Sequence, residues 1–127
     1  AIDSKGRKAA ELKSAVEKYC DGKSKGFIRK SRKDFKKITE KYGYPIGKWD
    51  VSQVEDFSRV FSNVFKECHD FNEDIGDWKV DNATNMEGMF WEAGSFNQDL
   101  SKWNVSNVTD MSHMFYCAKK FNGNIAN

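Results

Sequence analysis

Phe96-Asn-Gln-Asp-Leu-Ser-Lys-Trp-Asn-Val-Ser-Asn-Val-Thr-Asp-Met-Ser-His-Met-Phe115 decides how this chain is read, because it occurs more than once. A near-copy, Phe71-Asn-Glu-Asp-Ile-Gly-Asp-Trp-Lys-Val-Asp-Asn-Ala-Thr-Asn-Met-Glu-Gly-Met-Phe90, stands 25 residues earlier. A divergent copy runs from Ile46 to Phe61, and a further one opens at Phe121-Asn-Gly-Asn-Ile125. Self-similarity at such a period points to stacked repeat units, each burying its apolar face against the next.

Within a copy, Ile46, Ile75, Leu100 or Ile125 leads, and Trp49, Trp78 or Trp103 follows three residues on. The piece around Asp74-Ile75 and Asp99-Leu100 reads as a brief strand, paired in parallel with its counterpart one coil away. Ser52-Gln-Val-Glu55 has the form of a helix capping box. Val54, Phe57 and Phe61 then fall at helical spacing, as do Ala83, Met86 and Phe90, and Val108, Met111 and Phe115. The spacing thus predicts an outer helix in every coil. Trp49 to Trp78 is 29 residues and Trp78 to Trp103 is 25, so the first coil carries an insertion, placed near Asn63-Val-Phe-Lys66.

Working outward, residues 1–43 form a different kind of chain. They hold 14 Lys and Arg against 6 Asp and Glu, whereas residues 44–127 hold 7 against 13. One helix is expected over 4–20, capped by Ser4, with Ala9, Leu12, Ala15, Val16 and Tyr19 on one face and Asp21-Gly22 as its stop. A basic connector, Lys23 to Gly26, leads to a second helix over about 31–41 with Phe35, Ile38 and Tyr42 as its stripe. This pair would close the open end of a repeat array. The division is therefore a basic two-helix N-terminal cap at 1–43 and repeats at 44–127. The coils fall at about 46–71, 72–96 and 97–121, and a truncated fourth starts at 122.

The repeated pattern Phe-Asn-x-Asp-Leu/Ile-x-x-Trp-x-Val with Met-x-x-Met-Phe resembles the repeat of the BspA-like surface proteins over about residues 46–125. That family, long catalogued as a domain of unknown function, occurs in bacterial surface lipoproteins and in proteins of microalgae and their viruses. The resemblance implies an α/β fold: a leucine-rich-repeat-like right-handed solenoid with short parallel strands and outer helices. It also implies a binding or adhesive role at a cell surface, with no catalytic residues.

The candidate residues each carry more than one reading. Asn72, Asn97 and Asn122 recur once per coil and suit an asparagine ladder that satisfies turn backbone. Asp74 and Asp99 stack beside them and offer oxygens to a partner or a cation, although the dense Gly and Asp spacing of calcium-binding repeats is missing. Trp49, Trp78 and Trp103 suit a core column. Trp91 and Tyr116 share another column, either as an exposed platform for a sugar or a protein or as rings half-covered by the next loop. His69 and His113 read as solvated surface residues.

Arg29, Lys30, Arg32 and Lys33 form a basic run that suits an acidic protein or, less well, nucleic acid, since only Phe27 and Phe35 interleave. Cys20, Cys68 and Cys117 allow one bridge plus a free thiol, and the alignment of Cys68 with Ala93 and Ala118 reads as a buried thiol. Asn82, Asn104 and Asn107 fit the glycosylation acceptor pattern inside letters that capping also explains. Ile125 opens a fourth coil with a bare apolar edge, where a protein partner is expected. No cofactor motif, no Ser-His-Asp arrangement and no phosphate loop stands out. The reading is a non-catalytic interaction or adhesion module, or a small accessory subunit. A carbohydrate-processing enzyme would need its acids clustered, and here they are spread one per coil. No apolar run reaches the length of a membrane span, and no signal peptide opens the chain.

Overall fold

The computed structural model describes residues 9–24, 29–63, 68–123 and 125. The expected Ser4 cap, the end of the basic connector with Phe27, and most of the insertion after Asn63 lie outside the described residues.

Helix α1 spans Ala9–Ser24 and α2 spans Arg29–Tyr42. α1 runs through Asp21-Gly22 instead of stopping there, and buries Leu12, Ala15, Val16, Tyr19 and Cys20. Gly22 leaves room for α2, because a Cβ there would run into the Phe35 side chain. α2 closes at Gly43, whose N–H donates to the Thr39 carbonyl at 2.9 Å and whose φ of 109° a side chain would resist. A single 3-10 turn, Ile46–Lys48, leads into the repeats.

The repeats correct the expected architecture. Among the described residues there is no β-strand, and no helix follows Lys48. The leucine-rich-repeat-like solenoid with short parallel strands and outer helices is therefore not what this chain forms. Parallel pairing is confined to isolated bridges, Asp56 with Asn85, Asn85 with Asp110, and Leu100 with Ile125. Where strands were expected, Asp74 accepts the Gly76 N–H at 2.8 Å and Trp78 N–H returns to the Ile75 carbonyl at 3.1 Å, which folds the segment into a turn.

Where helices were expected, consecutive tight turns stand. The Met89, Trp91 and Ala93 N–H groups donate to the Met86, Gly88 and Phe90 carbonyls of their own repeat. The N–H groups between them, on Met86, Gly88, Phe90 and Glu92, donate to Asp110, Ser112, Met114 and Tyr116 of the following repeat at 2.7–2.9 Å. Phe57, Arg59, Phe61 and Asn63 do the same toward Asn85, Glu87, Met89 and Trp91. An α-helix spends every N–H four residues back along its own axis. Here alternate N–H groups are spent between repeats, so that helix cannot form. Ser52, the expected helix cap, instead donates its N–H and hydroxyl to Asp50 at 3.0 and 2.6 Å.

The turns still direct the apolar residues inward. Two files of phenylalanines run through the repeats: Phe61, Phe90 and Phe115 at 5.4 Å steps, and Phe71, Phe96 and Phe121 at 6.0 and 5.9 Å. Trp49, Trp78 and Trp103 are each at most 3% exposed. Burial of such rings is the main stabilising term, and each ring pair adds about 0.5–1.5 kcal/mol.

The helices are tied to this stack through Tyr19. Its ring meets Phe35 at 5.1 Å and Trp49 at 5.6 Å, and its hydroxyl donates to Glu73 at 2.6 Å. A disulfide joins Cys20 of α1 to Cys68, so Cys68 is buried as a cystine half and not as a free thiol. No described helix is long and apolar enough to cross a membrane.

Candidate surface ridge

Every repeat places one residue in the left-handed region at the same point: Arg59 at φ 56°, Gly88 at 59° and His113 at 55°. The middle one is glycine, and that vacancy is where the Trp91 ring lies. A Cβ on Gly88 would come within 3.2 Å of Trp91 Cε3 and 3.1 Å of Arg59 Cγ. Trp91 consequently sits between the repeat before it and the repeat after it. The Arg59 guanidinium carbon is 4.9 Å from its ring centroid, and the His113 imidazole stacks on it at 5.2 Å and 23°.

Tyr116 completes the ridge, edge-on to Trp91 at 5.1 Å and to His113 at 5.7 Å. It is 52% exposed. Glu87 holds Arg59 in place through Nε and Nη2, each 3.3 Å from a carboxylate oxygen. Four side chains from three successive repeats thus form one continuous cationic and aromatic surface. A cation beside a tryptophan face contributes about 0.5–1 kcal/mol at exposed sites.

Trp91 and Tyr116 were placed together by the sequence pattern, and the structure brings them into contact. Arg59 and His113 were missed. The signal that finds them is their shared position, four residues after Glu55 and Thr109 respectively, in register with Gly88. His113 is exposed as expected, yet it is a stacked ring. Trp91 is half-covered and does not present a bare face to solvent.

The other candidate residues are committed to structure. The Asn97 N–H donates to Asn72 Oδ1, and the Asn122 N–H to Asn97 Oδ1, both at 2.8 Å. Asp74 and Asp99 accept the Gly76 and Ser101 N–H groups at 2.8 and 2.9 Å. The Ser101 N–H and hydroxyl hold the Asp99 carboxyl below its ordinary range. The indole N–H groups of Trp49, Trp78 and Trp103 donate to the carbonyls of Gly43, Ile46 and Ile75 at 2.9–3.0 Å. Among the described residues, no three His, Cys, Asp or Glu come together in a way that could hold a metal ion.

Arg32 and Lys33 are exposed on α2; the side chains of Arg29 and Lys30 lie outside the described residues. Phe35 and Tyr42 pack against Tyr19 and Trp49, and Tyr42 also carries the Lys41 ammonium 5.1 Å from its ring centroid. Ile125 is partly buried against Leu100. Among the acceptor-pattern asparagines, Asn82 and Asn107 donate their amides to the Ser52 and Asp81 carbonyls at 2.8 Å, and Asn104 accepts the Ser106 N–H at 3.1 Å. Cys117 is an exposed free thiol.

Compared with known proteins, residues 29–127 match the family model described as "Mycoplasma protein of unknown function, DUF285". Nothing matches among the curated proteins or the solved structures.

Proposed function

We propose that this chain, which belongs to the DUF285 family, is a non-catalytic interaction module of the BspA-like kind that holds a protein partner through the Arg59–Trp91–His113–Tyr116 ridge. The observation that carries this reading is the ridge itself. Arginine, tryptophan and tyrosine are the residues that most often anchor protein contacts, and here they are pre-ordered by stacking and by the Arg59–Glu87 pair. The turn residues support it from the other side, since their carboxylates and amides are consumed by backbone groups one repeat at a time. General acid–base work needs such groups convergent and free.

A protein is favoured over a sugar because Trp91 is flanked by Arg59 and His113, whereas a sugar platform needs an open ring face. The surface setting follows from the BspA-like resemblance, an argument by analogy.

The test is affinity capture from the native source with the intact chain, with Tyr116→Ala, and with Arg59→Ala. The expected result is a defined partner that binds the intact chain and loses at least tenfold in affinity with either variant. Equal capture by all three, or binding of a glycan array instead, overturns the reading.

A further inference from the structure

We infer that Asn104 is an acceptor for an N-linked oligosaccharide, and that the fold singles it out from two other asparagines set in the same three-letter pattern. The pattern needs an amide nitrogen to take the sugar and a hydroxyl two residues on for the transferring enzyme to recognise. Asn82-Ala-Thr84, Asn104-Val-Ser106 and Asn107-Val-Thr109 each supply both. The structure leaves them free at one place. None of the four ridge residues takes part.

The Asn82 amide nitrogen donates to the Ser52 carbonyl at 2.8 Å, and the Thr84 hydroxyl to the Glu55 carbonyl at 3.3 Å. The Asn107 amide nitrogen likewise donates to the Asp81 carbonyl at 2.8 Å, and the Thr109 hydroxyl to the Thr84 carbonyl at 3.2 Å. Both pairs are committed to the seam between repeats. At Asn104 only the side-chain oxygen is engaged, accepting the Ser106 N–H at 3.1 Å. The Asn104 nitrogen and the Ser106 hydroxyl donate to no described group, and both residues are exposed. By contrast, the Ser52 hydroxyl at the aligned position is held by Asp50 at 2.6 Å.

This exposure does not depend on what lies beyond the third repeat. Lys79 and Asp81 hold the same two positions in the second repeat, and both are exposed with the third repeat in place. The bonds of Asn82, Thr84, Asn107 and Thr109 all run back to the preceding repeat. A following repeat of the same build would therefore draw on carbonyls and leave the Asn104 nitrogen open. The co-substrate is an oligosaccharide carried on a polyprenyl diphosphate. Its sugar C1–O bond breaks as a bond from Asn104 Nδ2 to C1 forms, polyprenyl diphosphate leaves, and Nδ2 gives up one proton. Nothing is oxidised or reduced. A glycan is bulky and suits such an outward position. The Cys20–Cys68 bridge fits the same setting, because disulfides form in the oxidising compartments of the secretory route.

The experiment incubates the folded, disulfide-bonded chain with a purified oligosaccharyltransferase and a polyprenyl diphosphate oligosaccharide, and maps the glycopeptides by mass spectrometry. The same map is made of the chain secreted from a glycosylating eukaryotic cell. The expected result is a glycan at Asn104 in both, with at least tenfold lower occupancy of Asn82 and Asn107 in the folded chain. Ser106→Ala keeps the N–H that Asn104 accepts but removes the hydroxyl, so it should cut occupancy at least tenfold without changing the unfolding midpoint, and Ser106→Thr should restore it. Asn104→Gln should abolish transfer. No glycan at Asn104 in either format, equal occupancy of Asn82 or Asn107 in the folded chain, or full occupancy in Ser106→Ala overturns the proposal.

Discussion

The Tyr19 hydroxyl donates to the Glu73 carboxylate at 2.6 Å across 54 residues of sequence, and the Ile46 N–H donates to the same hydroxyl at 3.4 Å. One phenol thereby fastens α1 to the loop that starts the second repeat. Tyr19→Phe removes the donor from a carboxylate whose side chain is only 27% exposed. Hydrogen bonds to charged groups contribute about 1.5–3 kcal/mol. Thermal or urea unfolding should show a loss of that order, whereas Tyr116→Phe on the exposed ridge should show almost none.

The same contact sets an alkaline limit. Burial, then the Glu73 hydrogen bond, push the Tyr19 phenol above its ordinary value of 10.0. Its neutral form is favoured in the fold, so this contribution is complete below pH 10.0 and is lost as pH rises toward the folded-state value. Asp50, Asp99 and Asp110 work in the opposite sense. Hydrogen bonds from Ser52, Ser101 and Ser112 hold them below 3.8, so their contribution is present above that pH and fades as acid is added. Stability measured against pH should fall at both ends, and Tyr19→Phe should flatten the alkaline side alone.

Cys20 and Cys68 close a loop of 48 residues between α1 and the repeats. Loop-closure entropy at that length is worth about 4 kcal/mol, less any strain. A Cys20→Ser, Cys68→Ser double variant, or reduction of the native chain, should lower the unfolding midpoint accordingly. Alkylation before reduction should label one cysteine, Cys117. Labelling of three would show that the bridge is not formed.

Gly76 lies where one repeat's backbone comes close to the next. A Cβ there would lie 2.9 Å from the Asp99 carbonyl oxygen and 3.1 Å from Asp74 Oδ1. Backbone cannot step aside as a side-chain tip can, so Gly76→Ala should destabilise by about 1–3 kcal/mol. Ala substitution at the exposed Ser101, the aligned position of the third repeat, should be nearly neutral. Equal effects at the two positions would contradict the stacking.

Much of this was legible because a repeat announces itself. Asn72, Asn97 and Asn122, the three buried tryptophans and the phenylalanine files all fall at the spacing that the sequence displays. The local backbone was not legible. Met86, Met89 and Phe90 lie three and four residues apart, which fits one face of a helix and equally fits a run of tight turns. What decides between them is positive φ at Arg59, Glu92, His113 and Cys117, residue types that carry no signal for it.

The ridge was half legible for a related reason. Trp91 and Tyr116 align as aromatics, but the role of Gly88 as the gap Trp91 fills is visible only once the repeats are superposed in space. The Cys20–Cys68 bridge depends on how α1 lies along the first repeat, and no periodicity encodes that.

Hydrogen exchange of the intact chain alone, read amide by amide, tests the account of turns bonded from repeat to repeat most directly. Phe57, Arg59, Phe61, Met86, Gly88, Phe90 and Glu92 should exchange slowly, and Met111, His113, Phe115 and Cys117 at least tenfold faster. Exchange at Phe57, Phe61, Met86 and Phe90 as fast as at Met111 and Phe115 would contradict it, because those N–H groups would then not be spent between repeats.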